Sequence, residues 1–105
     1  MNKFKVITLC GSTRFRKEFE RINKKLTLEG NVVISVGCFG HAGDTITQEQ
    51  KELLDNIHLQ KIDMADEIFV INVDGYIGKS TSREIKYALD QGKDVVFLED
   101  PDGTT

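Results

Sequence analysis

Short apolar runs and stripes of helical period alternate along this chain. The runs at 4–10, 31–36, 67–73 and 94–98 are rich in Val, Ile and Phe and nearly continuous. Runs of that kind, without every-other-residue alternation, predict strands covered on both faces. Between them, Phe15, Phe19, Ile22 and Leu26 recur at helical spacing, and Gly30 closes the segment. Leu53, Leu54, Ile57, Ile62 and Ala65 form a second stripe, opened by Thr47 with Gln50 as a capping box. A third stripe, Ile85, Ala88 and Leu89, ends at Gly92. The order β-α-β-α-β-α-β predicts a parallel sheet with helices on both faces and right-handed crossovers. Strand order 2-1-3-4 divides those helices between the two faces.

The expected architecture is α/β: a small flavodoxin-like (Rossmann-like) three-layer sandwich on a four-stranded parallel sheet. Residues 1–105 read as one domain with room for a single core. No linker or repeat interrupts it, and the tail at 101–105 is expected to fray. A formal charge of −3 gives no basic footprint for nucleic acid. The dense basic group Arg14, Arg16, Lys17, Arg21, Lys24 and Lys25 is interleaved with Glu18 and Glu20, as on a solvated helix face. Cys10 and Cys38 lack metal spacing and read as buried free thiols in a reducing compartment. No apolar run reaches membrane-spanning length, and the apolar part of the amino terminus is short for a signal peptide. A cytoplasmic location, with no membrane and no nucleic-acid partner, is the expectation.

Ligands of such folds sit beyond the carboxyl ends of the strands, where the strand order reverses. Two loops, 10–15 (CGSTRF) and 74–81 (DGYIGKST), lie at that point and run into helices. The second ends in Gly-Lys-Ser-Thr, the tail of a phosphate-binding Walker loop. That loop needs a glycine five positions before Gly78, where this chain has Val73, so the triphosphate reading fails on spacing. Thr81 and Glu84 match a capping box, which leaves Glu84 either a helix cap or a functional carboxylate. In the first loop, Gly11 permits a sharp turn while Ser12 and Thr13 supply hydroxyls at a helix start. Arg14 adds donors suited to an anion. Ser12 or Thr13 as a simple N-cap is the plainer reading, and the two are compatible.

With CGSTR closing the first strand, KIDMADEIFVINV, and STSREIKYALDQGKDVVFL after a Gly-rich loop, the chain resembles the nucleoside 2-deoxyribosyltransferase-like superfamily. That group includes the deoxynucleoside 5′-monophosphate N-glycosidases. The resemblance covers nearly the whole chain and implies cleavage of the base–sugar bond of a nucleoside or nucleoside monophosphate. It implies Glu84 as the nucleophile that forms a glycosyl-enzyme intermediate, resolved by water in hydrolases or by a second base in transferases. It also implies a 5′-phosphate site at Gly11, Ser12 and Arg14, with Ser80 and Thr81 adding hydroxyls. Family members are usually dimers or larger, so a homodimer or higher homo-oligomer is implied.

Two positions depart from the family. His58 stands where an aspartate is usual, and Gly78 where transferases carry aspartate and monophosphate hydrolases serine. His58 shares a helical line with Leu54 and Ile62, so it is either a half-buried structural histidine or a ligand to sugar or base. Asp74 and Gly75 complete the expected substrate-binding set. In the loop 37–47, Phe39 is a candidate to stack on a base, with His41 and Asp44 for a polar edge. His41, His58 and Cys38 have no zinc spacing, and neither metal nor cofactor is expected. The alternative function is a non-catalytic nucleotide-binding or sensing module of the same fold, in which Glu84 is mainly a cap.

Overall fold

A computed structural model describes residues 3–40 and 43–101. Four strands, β1 (Val6–Gly11), β2 (Val32–Ile34), β3 (Glu67–Ile71) and β4 (Asp94–Phe97), form one parallel sheet in the order β2-β1-β3-β4. Helices α1 (Arg16–Leu28), α2 (Gln48–Asp63) and α3 (Lys79–Asp90) connect them. The small flavodoxin-like α/β architecture expected from the pattern is the one observed. The expected fraying at 101–105 lies, beyond Pro101, outside the described residues, as does His41.

Alternation within the two central strands sorts the helices onto the faces. Ile7 and Leu9 of β1, with Ile71 of β3, pack against Phe19, Ile22 and Leu26 of α1. Cys10, Ile68 and Val70 point the other way, against Ile62 of α2 and Ala88 of α3. Thr8 shares that second face, and its hydroxyl donates to the Lys61 carbonyl of α2 at 2.8 Å. Lys61 Nζ donates in turn to the Ser35 carbonyl at 2.8 Å. Helix α2 is thus tied both to the central strand and to the chain leaving β2. The basic face of α1 is exposed, with Arg16–Glu20 and Lys25–Glu29 pairs at helical spacing.

The strands are shorter than the apolar runs, for identifiable reasons. Beyond β3, Asn72 is buried and turns to the chain after β4, donating to the Glu99 carbonyl and accepting from the Glu99 amide. A 3-10 turn over Val73–Gly75 follows, with Asp74 in the left-handed region at φ 55°. Beyond β2, the Ser35 carbonyl is taken by Lys61. Among the described residues no helix is long and apolar enough to cross a membrane.

The capping box expected at α2 is present. Thr47 Oγ1 accepts from the Gln50 amide at 3.1 Å, and Gln50 Oε1 accepts from the Thr47 amide at 3.0 Å. Replacing Thr47 by alanine should cost about 1 kcal/mol, seen as a lower urea midpoint at unchanged slope. The apolar stripe read for α2 is only partly buried: Leu53 is 57% and Ile57 40% exposed, while His58 and Ile62 face inward. For Ile57 the reason is a cleft, which it borders together with Leu54.

Candidate active site

Three elements bring their polar side chains together at the carboxyl end of the sheet. Cys10 is the last residue of β1 before Gly11 and points to the α2/α3 face, fully buried. Gly11 follows at φ +150°, pressed so close to β3 that an added Cβ would lie 2.8 Å from the Ile71 carbonyl oxygen. From α2, Lys51, Asp55, His58 and Ile62 recur at i, i+4, i+7 and i+11, so one line of the helix faces inward. From α3, Glu84 sits one turn after Thr81 and beside Ile85, on the side that carries buried Ala88.

The capping-box reading of Thr81 and Glu84 is overturned. Helix α3 begins at Lys79 with Gly78 as its N-cap, and no side chain caps it. Thr81 is the third helical residue and is buried, so Glu84 lies too deep in the helix to reach back to the cap. Its carboxylate does not cap the helix and instead accepts from the Cys10 thiol.

His58 Nε2 lies 3.4 Å from Cys10 Sγ and 3.9 Å from Glu84 Oε1. The ligand-type atoms of all three residues fall within 4.8 Å of one another. The side chains of His58 and Glu84 are only 8% and 13% exposed. Burial, with the charge of Asp55 adding to it, pushes the Glu84 carboxyl up from 4.5 to about 7. Cys10, Lys51 and Arg83 oppose that rise without cancelling it. Burial and the nearby Lys61 ammonium hold the His58 imidazole down at about 4, from 6.5. Burial and the Glu84 charge push the Cys10 thiol well above its ordinary range. At neutral pH the cluster is therefore a neutral imidazole, a protonated thiol and a carboxyl poised between its two states.

Glu84 and His58 line a cleft of about 320 Å³, within reach of a nucleoside-sized ligand. Its walls come from the first loop (Gly11 and Thr13), the chain after β2 and the inward line of α2. Lys51 donates to Asp55 at 3.1 Å, with Ser80 Oγ at 3.5 Å.

The expected site residues divide into two groups. Glu84, His58 and Gly11 line the cleft together, and Ser80 is joined to its wall through Lys51. Ser12 and Arg14 engage each other instead: Ser12 Oγ caps the 3-10 turn over Thr13–Phe15 and accepts from Arg14 N and Nε. The Arg14 guanidinium stacks 4.4 Å above the Tyr76 ring and reaches its hydroxyl. Phe39 packs edge-on against Phe19 at 5.6 Å, beside the α1 core. Asp74 and Gly75 stay in the turn after β3, where the Asp74 amide donates to Glu99 Oε2. Asp44 lines the cleft and also accepts from the Phe39 amide.

Cys10, Asp55, Lys51 and Lys61 were not singled out for the site from the sequence. Cys10 carried a positional signal, ending a central strand at the switch point. Lys51 and Asp55 carried a periodic one, the helical line shared with His58. A scan against protein-family models finds no match, and a search of curated proteins finds none either.

Proposed function

We propose that this protein cleaves the base–sugar bond of a nucleoside or nucleoside monophosphate, with Glu84 as the nucleophile. The observation that carries the reading is Glu84 itself: a carboxyl with no capping role, nearly buried in a nucleoside-sized cleft and ionising near neutrality. Departure of a base from a sugar builds positive charge at the anomeric carbon, and a desolvated carboxylate stabilises that charge before bonding to it. The neutral His58 suits this role, because an imidazolium at 3.9 Å would draw off the negative charge that the step uses. Asp55, near enough to raise the Glu84 carboxyl, adds negative potential on the same side. Water reaching the glycosyl-enzyme through the cleft completes hydrolysis, and a second base in its place completes transfer.

In this reading a 5′-phosphate extending beyond the cleft lining is met by Arg14, whose guanidinium lies over the Tyr76 ring. The reading extends to a homodimer, supported by the exposed Leu53 and Ile57 of α2. It extends also to a reducing, cytoplasmic setting, which the free Cys10 and Cys38 suit.

The test is incubation with a panel of nucleosides and monophosphates, followed by chromatography for released base. Release is expected, with kcat/KM rising as pH climbs through about 7, where Glu84 becomes the carboxylate. Release that climbs instead toward acid pH would remove Glu84 from the nucleophile role. No release from any member, together with a raised Tm in its presence, would make the chain a binding module.

A further inference from the structure

We propose that Cys10, His58 and Glu84 form a three-ligand site for Zn²⁺, with the fourth coordination position open to the cleft. The three donors are a thiol, an imidazole and a carboxylate, which together suit a borderline-soft divalent ion. Bonds of about 2.3 Å to sulfur and 2.0–2.2 Å to nitrogen and oxygen set the donor atoms of a tetrahedral zinc about 3.3–3.6 Å apart. Sγ of Cys10 and Nε2 of His58 are 3.4 Å apart, and Nε2 and Oε1 of Glu84 are 3.9 Å apart. All three atoms fall within 4.8 Å of one another, so a small rotation of the Glu84 side chain completes the set.

The placement is that of an open site. Cys10 forms the closed back of the cluster, fully buried, while His58 and Glu84 face the cleft through which an ion and its water would enter. Electrostatics favour the ion as well. Burial disfavours both the thiolate and the carboxylate when each stands alone, and one dication compensates both charges. His58 is neutral near pH 7, so its ring nitrogen has a lone pair to give. On binding, the Cys10 proton leaves to solvent, together with the proton of that fraction of Glu84 still protonated. Lys61 acts on His58, and Lys51 and Arg83 on Glu84, as nearby cations, with Asp55 acting on both as an anion, which moderates the affinity.

The site has a consequence that rests on the glycosidic reading above: a metal-bound Glu84 is no longer a free nucleophile, so zinc suppresses base release. The binding itself does not rest on that reading.

The test is a Co²⁺ titration of the full-length, metal-stripped protein, followed by absorption. We expect one equivalent to bind with a near-ultraviolet thiolate-to-cobalt band and a visible tetrahedral band, both bleached by Zn²⁺. Cys10→Ser should lose the thiolate band, and Cys38→Ser should keep it. Loss of an outer-shell partner weakens metal sites by about 10–100-fold, so His58→Gln and Glu84→Gln, which remove ligands, should weaken binding by about 100-fold or more. Melting curves of each variant establish that it is folded. Absence of the thiolate band in the wild type, or its persistence in folded Cys10→Ser, overturns the assignment. So does unchanged affinity in both His58→Gln and Glu84→Gln. Base release measured on the metal-free protein separates the two readings, since its failure leaves the cobalt spectrum untouched.

Discussion

Glu84→Gln is expected to abolish base release and, above neutral pH, to stabilise the protein. Removing a covalent nucleophile lowers kcat by about a thousandfold or more. The gain in stability follows from linkage. A carboxyl raised from 4.5 to about 7 on folding is held more tightly as the acid, so its contribution is fully present below pH 4.5. That contribution is lost as pH rises to about 7, and above it the native state carries a buried charge at a cost of about 3 kcal/mol. Glutamine has nearly the same shape and no charge to bury. His58 has the opposite slope. Its imidazole falls from 6.5 to about 4 on folding, so its contribution is present above pH 6.5 and lost toward pH 4. The two slopes oppose each other over nearly the same window, and the wild type should show little pH dependence from this pair. Glu84→Gln should unmask the histidine, with stability rising from pH 4 to 6.5. Urea unfolding at a series of pH values reads the slopes directly. Equal stability of wild type and Glu84→Gln at pH 8 would defeat the burial argument, and retained base release would defeat the mechanism.

The largest loss of stability should come from Gly11→Ala. The new Cβ would lie 2.8 Å from the Ile71 carbonyl oxygen and 3.2 Å from the Ile71 Cβ, both on the neighbouring central strand. Neither atom can swing aside as the end of a flexible side chain would. At φ +150° an L-residue is also strained. Overpacking and backbone strain together amount to about 3 kcal/mol. For a domain near 100 residues that lowers Tm by about 15 °C. Relief by separating β1 from β3 would shift Cys10 as well, so the near-ultraviolet cobalt band should weaken in the same variant. A melting temperature within a few degrees of wild type would show that the strands part at little cost, contrary to this reading.

The sheet was legible because β1 and β3 are buried on both faces, and nothing but near-continuous apolar sequence can fill such strands. Their ends were less legible. Asn72 and Ser35 give up the ladder for partners far along the chain, Glu99 and Lys61, which local sequence does not display. The cap at Thr47 was readable because its helix starts where the hydroxyl stands. At α3 the same pattern misled, since Gly78 starts the helix earlier and carries Thr81 into its first turn. A Ser/Thr-x-x-Glu motif has no feature that distinguishes a cap from the third helical position. Glu84 was found through resemblance and His58 as a departure from it. Cys10 read correctly as a buried thiol, but its partners are 48 positions away and beyond, so no spacing rule could join them.

That separation has a consequence for how the cluster comes into being. Its members hang on the central strand and on two helices from successive crossovers, with no pair close in sequence. Helices α2 and α3 supply His58 and Glu84, and Cys10 joins them only from β1. The groups meet only when the two crossovers on that face have both docked, so their unfavourable titration is charged to the cooperative unit as a whole. The burial that raises the Glu84 carboxyl comes from the same packing of α2 and α3 on the sheet that stabilises that face.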